Sequence, residues 1–283
     1  MKTIMNITKE FKTSLYEYIL EEKNDVIPEW DGHEHLFNHK NPLPKNHNFE
    51  CRVGFMDIEY NDISNINVLD AYTNYIKNHY NKKTDILLAT GITIEDIKSV
   101  YEKYPKIIKG FGELKCYDMY RDEKLPYKKI KLVRDVLKLS NDNGQLPVYV
   151  HWELNTPSDV EHIENALKAY PGVPLVLCHA GMNENNRDFA FVEAKRLQNT
   201  YSNLWLDISW DAAEYFSNNL MLLNTLILDR IILGTDINNR IFSDKSMHKD
   251  RDWLWGLNKF NDIKNYLHSS NKSKIQKLFS KTH

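Results

Sequence analysis

Two histidines separated by one residue, His33 and His35, stand at the end of a short apolar stretch of the sequence. Neutral imidazoles are common ligands of Zn²⁺ and related divalent ions. Side chains two positions apart on a β-strand point to the same side, so a strand that ends in His-x-His can present both rings to one ion. A His-x-His pair also occurs on ordinary polar loops, so the rest of the sequence must indicate whether this pair binds a metal.

Four further apolar stretches each end in a residue that can bind a metal ion. Uninterrupted apolar stretches of this length are typical of parallel strands that are buried on both faces. In a barrel the carboxyl ends of the strands converge on one region, so we expect the terminal side chains to meet there. In chain order these candidate ligands are Glu113, His151, His179 and Asp236.

The stretches between the strands have the apolar spacing of amphipathic helices, which predicts an alternation of strand and helix. Seven strands are well marked, and a weaker one at residues 52–60 makes eight. We therefore predict an α/β fold of the (β/α)8 TIM-barrel type, a single domain over residues 1–283. An extra helix at residues 1–24 precedes the barrel at residues 25–283. The alternative, an open doubly wound sheet, usually has a G-x-G-x-x-G motif in its first βα turn, and this sequence has none.

Three predicted helices have bounds that a structure can test. Residues 125–142 form one helix that ends near Asn143-Gly144. A second helix begins at Ser158, where Glu161 three positions on completes a capping box. Residues 212–229 form a third, continuous helix.

Composition excludes several classes of protein. The 37 basic and 39 acidic side chains give a net charge of −2, which argues against a nucleic-acid or membrane partner. Three widely spaced cysteines are not a disulfide framework. With no signal-peptide or membrane-span pattern, we expect a cytoplasmic protein that acts on a small molecule, and a homodimer is the commonest oligomer for such a chain.

Over residues 26–240, the order His-x-His, Glu, His, His and Asp along successive strands resembles the amidohydrolase superfamily, the metal-dependent hydrolases of TIM-barrel fold. The resemblance implies one or two divalent ions, most simply Zn²⁺. It implies that a metal-activated water attacks an amide, ester or lactone-like substrate. It also assigns roles to residues: His33, His35, His151 and Asp236 hold the metal, Asp236 activates the water, and His179 binds a second metal or polarises the substrate.

One position departs from the commonest pattern of that superfamily. Glu113 stands where many members have a carboxylated lysine, and Lys115 two residues on is a second candidate for that position. A glutamate here resembles the TatD-type deoxyribonucleases, in which it bridges two metals. The alternatives to hydrolysis are thus a TatD-like phosphoesterase or nuclease, a PHP-type phosphoesterase, a non-oxidative decarboxylase of an aromatic or unsaturated acid, and a scaffold with an inactive site.

Other residues just past the predicted strand ends are candidates for binding substrate. Each also has a simpler explanation, since the tryptophans can pack in the core and the arginines can lie in solvent. Asp207 either orients a ligand histidine or caps a helix. The substrate-binding candidates are Lys115, Trp152, Arg187, Trp210 and Arg240.

Overall fold

Eight β-strands form one sheet, in which every strand is parallel to its neighbours and the order follows the chain. A computed structural model describes residues 30–36, 50–56, 67–116, 125–234, 236, 263, 267 and 270–280, and the fold is given for these. The strands are β1 (Trp30–Leu36), β2 (Cys51–Met56), β3 (Asp85–Ala89), β4 (Ile108–Lys115), β5 (Val148–His151), β6 (Leu175–Leu177), β7 (Leu204–Ile208) and β8 (Ile231–Leu233).

Helices connect most of these strands, as parallel pairing requires. The α/β class is therefore confirmed, and the weak strand expected at residues 52–60 exists as β2. The helices are α1 (Val68–Asn78), α2 (Ile94–Lys103), α3 (Leu125–Asp142), α4 (Pro157–Ala169), α5 (Arg187–Thr200), α6 (Trp210–Ser217) and α7 (Leu220–Leu223), with short 3₁₀ turns at Cys178–Gly181 and Leu228–Arg230.

The predicted helix bounds hold in one case and are wrong in two. Helix α3 covers the predicted residues. The stretch 212–229 is not one helix, because α6 ends before Asn218 and α7 begins after Asn219. The amide side chains of these two residues donate to the carbonyls of Glu214 and Tyr215. Asparagine favours such local bonds over helix continuation, which accounts for the break.

The capping box of α4 lies two residues earlier than the sequence suggested. Thr156 is the N-cap, and its side chain and that of Asp159 bond reciprocally to each other's backbone N–H. Pro157 follows at the first helical position, where its missing N–H costs nothing and its fixed φ suits the helix. Ser158 and Glu161 are therefore inside the helix, and the prediction that they form the box is wrong.

The core has two layers on the two faces of the sheet. The larger layer packs between the strands and the helices. The smaller layer is formed by residues on the opposite face, among them Val53, Phe55 and Tyr149, together with Ile275 and Leu278 from a C-terminal helix at residues 270–278. Large side chains on both faces of the strands explain why their sequences are almost continuously apolar.

The first and last strands lie beside each other. The backbone N–H of Asp236 donates to the carbonyl of His33 at 2.9 Å. The side chain of Asn271, in the C-terminal helix, donates to the carbonyls of Trp30 (2.5 Å) and Leu233 (3.1 Å) and accepts from the N–H of Leu233 (2.9 Å). One buried amide side chain thereby links the first and last strands of the sheet.

The predicted helix at residues 1–24 lies outside the described residues. Among the helices that the structure describes, none combines the length and apolarity that crossing a bilayer demands.

Candidate metal centre

Five of the predicted ligands converge at the carboxyl ends of the strands. His33 is on β1, Glu113 on β4 and His151 at the end of β5, while His179 lies two residues past β6 and Asp236 three residues past β8. All are buried except His151, which is partly exposed. Strands far apart in the sequence therefore deliver three imidazoles and two carboxylates to one place.

The distances between these side chains match those between ligands that share one ion. Nε2 of His33 lies 3.3 Å from Oδ1 of Asp236, and Nε2 of His179 lies 3.8 Å from Oδ2 of the same residue. Oε1 of Glu113 lies 3.9 Å from Nε2 of both histidines. Two atoms that are each ~2.1 Å from a tetrahedral Zn²⁺ lie about 3.4 Å apart, so the side chains fit around a cation with small adjustments.

The ligand atoms form two overlapping groups. One contains His33, His179 and Asp236, and the other contains Glu113, His151 and His179. His151 also contacts Glu113, with Nδ1 2.9 Å from Oε1. The resemblance had placed His151 with His33 and Asp236, whereas the geometry makes His179 the residue that both groups share.

A buried carboxylate holds the other side of His33. Oδ2 of Asp207, on β7, lies 2.7 Å from Nδ1 of His33 and 3.4 Å from the backbone N–H of His179. Ser209 donates its hydroxyl to the same oxygen at 2.5 Å. Of the two readings of Asp207, orientation of a ligand histidine is thus the one that its contacts support.

The pKa values of His33 and His179 are shifted in opposite directions. Burial alone would lower the pKa of His33, but the carboxylates of Asp207 and Asp236 on either side of its ring raise that pKa well above the ordinary value. Burial, and then the nearby His151, lower the pKa of His179 to about 4. His179 is consequently neutral at pH 7, the form in which imidazole binds a metal ion.

The backbone is strained at two of the candidate ligands. His179 has a φ of 54° and Asp236 a φ of 56°, both in the left-handed region that non-glycine residues seldom adopt. Such conformations cost about 1–3 kcal/mol each and cluster at functional sites. The backbone bonds from Asp236 to His33 and from Met182 to His179 hold these residues in place.

Close packing against Gly234 restricts the position of His33. A Cβ on Gly234 would lie 2.3 Å from Cβ of His33 and 3.0 Å from Oδ1 of Asp207. Only a glycine at position 234 leaves room for the ring of His33 to reach the carboxylate of Asp207.

Residues 141–270 match the family model described as Amidohydrolase. This segment contains His151, His179, Asp207 and Asp236, which the structure brings to the same site. This segment of the chain is therefore similar to the amidohydrolase family. A comparison with curated proteins finds no significant match.

Several solved structures have a similar fold. An amidohydrolase from Burkholderia multivorans with bound zinc is 11% identical, with a TM-score of 0.55, over 90% of this chain and 99% of that one. An uncharacterised TIM-barrel protein from Bordetella bronchiseptica is 12% identical, with a TM-score of 0.51, over 83% and 79%. A TatD-family hydrolase from Entamoeba histolytica is 11% identical, with a TM-score of 0.51, over 90% and 97%. At these identities the likeness concerns the fold alone.

Two of the substrate-binding candidates have side chains engaged in other contacts. Trp152 is buried in the layer between sheet and helices, where its ring packs edge-on against His162 of α4. Arg187 donates to Asp211 at 2.8 Å and to Glu214 at 2.7 Å, which makes it part of an ion-pair network between α5 and α6. Both side chains are thus committed to packing or to ion pairs.

The remaining candidates are only partly described. Lys115 is the last residue of β4, half-buried and paired in register with His151. His35 lies on β1 and Trp210 begins α6, but their side chains are outside the described part of the chain, and so is all of Arg240.

The candidate metal centre contains two residues that the sequence did not single out. Ser209 lies 2.9 Å from Nδ1 of His179 as well as against Asp207. Tyr149 is fully buried beneath the site, with its ring 6.4 Å from that of His33. The two-residue period was available for both, since Ser209 follows Asp207 and Tyr149 precedes His151 by two positions.

Proposed function

We propose that this chain is a metal-dependent hydrolase of small molecules, with an amide, ester or lactone-like group as its substrate. One observation carries the proposal. Two imidazole Nε2 atoms and two carboxylates from four different strands meet in a buried site at 3.3–3.9 Å. Such a set is costly to bury without a compensating cation. The match of residues 141–270 to the Amidohydrolase family model supports metal-dependent hydrolysis as the general chemistry.

The donor set fits a divalent ion, most simply Zn²⁺, because imidazole and carboxylate are the ligands that this metal prefers. His33, His179 and Asp236 would hold one ion, and Glu113, His151 and His179 a second. The sequence adds His35 as a predicted ligand of the first group, because it stands two strand positions after His33. A bound ion of this kind supplies Lewis acidity, which polarises a carbonyl and makes a water more acidic.

The protein's own groups would handle the proton and the geometry. Asp236, at 9% side-chain exposure, accepts the proton of the attacking water and returns it to the leaving group. His179 acts as a ligand in this scheme, because its Nδ1 side is turned to Ser209 and its Nε2 side to the carboxylates. Asp207 keeps the ring of His33 in the orientation that presents Nε2 to the site.

We further propose that the sheet closes into a complete (β/α)8 barrel at residues 25–283, and that residues 1–283 form a single domain. The hydrogen bond from Asp236 to His33 and the bridging amide of Asn271 support this closure. Closure accounts for the position of the site, since a barrel gathers the ends of all its strands at one face.

Elemental analysis of protein purified without added metal tests the metal site. We expect at least one equivalent of a divalent ion per chain, and close to none in a His33→Ala variant. His162→Ala is the matched control, because this histidine packs on Trp152 away from the site and its loss should leave the metal content unchanged. Wild-type protein with neither bound metal nor metal-stimulated activity would overturn the proposal.

A substrate panel then separates the reactions. Amides, esters and lactones report hydrolysis, release of CO₂ from 2-hydroxybenzoate-like acids reports decarboxylation, and aryl phosphodiesters report phosphoester cleavage. We expect metal-dependent turnover in the first group. Turnover confined to either of the other groups would retain the metal site and replace the reaction.

The phosphoesterase is the second candidate function, and Glu113 is the observation in its favour. Its Oε1 lies 2.9 Å from His151 and 3.9 Å from His33 and His179, so one oxygen reaches both ligand groups as a bridging carboxylate would. A metal content near two per chain would support that arrangement. The net charge of −2 argues against a DNA substrate, because phosphate contacts require basic side chains.

A further inference from the structure

Ser209 occupies a helix cap position but does not act as a cap. It is the N-cap of α6, fully buried, with the extended backbone that a cap residue has, yet its side chain makes no hydrogen bond to the helix. A serine at this position normally accepts from the second or third N–H of the helix. Thr93, the N-cap of α2, makes such a bond with Asp96 at 3.1 Å. The hydroxyl of Ser209 is therefore used elsewhere.

The hydroxyl lies between Asp207 and His179. It is 2.5 Å from Oδ2 of Asp207 and 2.9 Å from Nδ1 of His179. A serine hydroxyl has one proton to donate, and an ionised carboxylate only accepts. The proton of Ser209 therefore belongs to the bond with Asp207, and the ring N–H of His179 donates to the serine oxygen.

This order of donors determines the tautomer of His179. With the proton on Nδ1, Nε2 carries a lone pair, and it faces Asp236 at 3.8 Å and Glu113 at 3.9 Å. In the opposite tautomer a proton would occupy the side of the ring on which an ion has to bind. The same carboxylate oxygen of Asp207 also accepts from Nδ1 of His33, so one atom sets both rings.

We propose that Ser209 is a positioning residue that holds His179 as the Nδ1–H tautomer and couples it, through Asp207, to His33. This inference rests on the proposed metal site. Ser209 contributes to metal affinity although it provides no ligand atom, and it does so without contributing to the stability of α6 as a cap.

The test uses Ser209→Ala, with Thr93→Ala as the matched control. The first readout is the tautomer of His179, measured by long-range ¹H–¹⁵N correlation on metal-stripped protein labelled at histidine nitrogen. We expect the Nδ1–H form in the wild type and loss of that form in Ser209→Ala. The second readout is Zn²⁺ affinity by competition with a chelator, which should fall roughly 10–100-fold, as losses of such outer contacts do. Thr93→Ala should lower the unfolding midpoint and leave both readouts unchanged.

Ser209→Gly gives the same two readouts if the alanine variant does not fold, since glycine suits an N-cap and also lacks the hydroxyl. Unchanged tautomer and affinity in a folded variant would overturn the role of Ser209 while leaving the metal site intact. A wild-type protein that binds no Zn²⁺ would instead overturn the proposed function.

Discussion

His33 is held on every side by groups that leave its ring one orientation. Asp207 lies 2.7 Å from one nitrogen and Asp236 3.3 Å from the other. The ring of Phe55 packs edge-on at 5.0 Å. Rigid surroundings of this kind keep a ligand in place before the ion arrives, so less ordering remains to be done on binding.

Gly234→Ala should disrupt the site through packing alone. The added Cβ would lie 2.3 Å from Cβ of His33, while the N–H of Gly234 donates to the carbonyl of Ile208 on β7 at 3.3 Å and holds the glycine backbone in place. We expect a loss of about 1–3 kcal/mol in the free energy of unfolding, as for other overpacked cores, and loss of bound metal.

Denaturant unfolding and elemental analysis measure these two effects. Gly172→Ala is the control, because its Cβ would meet only the end of the flexible Gln145 side chain. Retention of full metal content in a folded Gly234→Ala protein would contradict the importance of this contact.

Helix α4 begins where a capping side chain bonds, which makes its start testable. We expect Thr156→Ala to lower the free energy of unfolding by about 1 kcal/mol, because it removes a working cap. Ser158→Ala, at the second residue of the helix, should change the free energy of unfolding by less than about 0.5 kcal/mol. Chemical denaturation of the two variants side by side decides which residue starts the helix, and the reverse ranking would restore the bounds inferred from sequence.

The C-terminal helix contains a buried lysine whose titration affects stability. Burial lowers the pKa of Lys274 from 10.5 to about 8, and the nearby Asp229 offsets part of that effect. Between pH 8 and 10.5 the unfolded chain binds this proton more readily than the folded one, so the free energy of unfolding rises with pH in that window. Below pH 8 the folded protein bears the full cost of a buried charge.

Lys274→Met should remove that cost. We expect the variant to exceed the wild type by about 1–3 kcal/mol at pH 7, with the difference shrinking as the pH rises towards 10. Urea unfolding at several pH values measures the difference. Lys277→Met, on the exposed side of the same helix, serves as the control and should leave the pH slope as it is. A difference between Lys274→Met and wild type that does not vary with pH would contradict the argument.

Asn271 links the first and last strands of the sheet. Its side chain is buried and bonds to Trp30 and to both backbone groups of Leu233. Asn271→Ala would leave three buried backbone groups without these partners. We expect the free energy of unfolding to fall by about 2–5 kcal/mol and the N–H of Leu233 to exchange faster. Ser273→Ala, exposed on the same helix, is the control, and equal stability of the two variants would show that the amide does not hold the strands together.

The sequence predicted those parts of the molecule that depend on short-range patterns. Each of Glu113, His151, His179 and Asp236 was found because it ends an apolar strand, and parallel strands bring their ends together. The cap of α4 was misplaced because Ser158 and Thr156 are both good cap residues, and Pro157 decides between them. Ser209 was missed because serine before a helix normally indicates a cap.

Sequence patterns could not predict the contacts between distant segments of the chain. The apolar spacing of residues 270–278 indicates a helix with one buried face, but does not say that Ile275 and Leu278 pack into the inner layer of the sheet. The bond of Asn271 to residues 30 and 233 depends on that docking. Trp152 and Arg187 likewise stand near strand ends in the sequence, and only the structure shows that their side chains contact His162 and the carboxylates of Asp211 and Glu214.

The amide of Asn271, which links the first and last strands, also determines how late in translation these two strands can be joined. Asn271 and its partner Trp30 are 241 positions apart. A ribosome adding about 5–20 residues per second needs roughly 10–50 s to pass from one to the other. Throughout that interval the first strand has emerged with one flank uncovered, exposed to other nascent chains and available to chaperones. The half of the site that contains His33 can thus meet the half that contains Asp236 only late in translation.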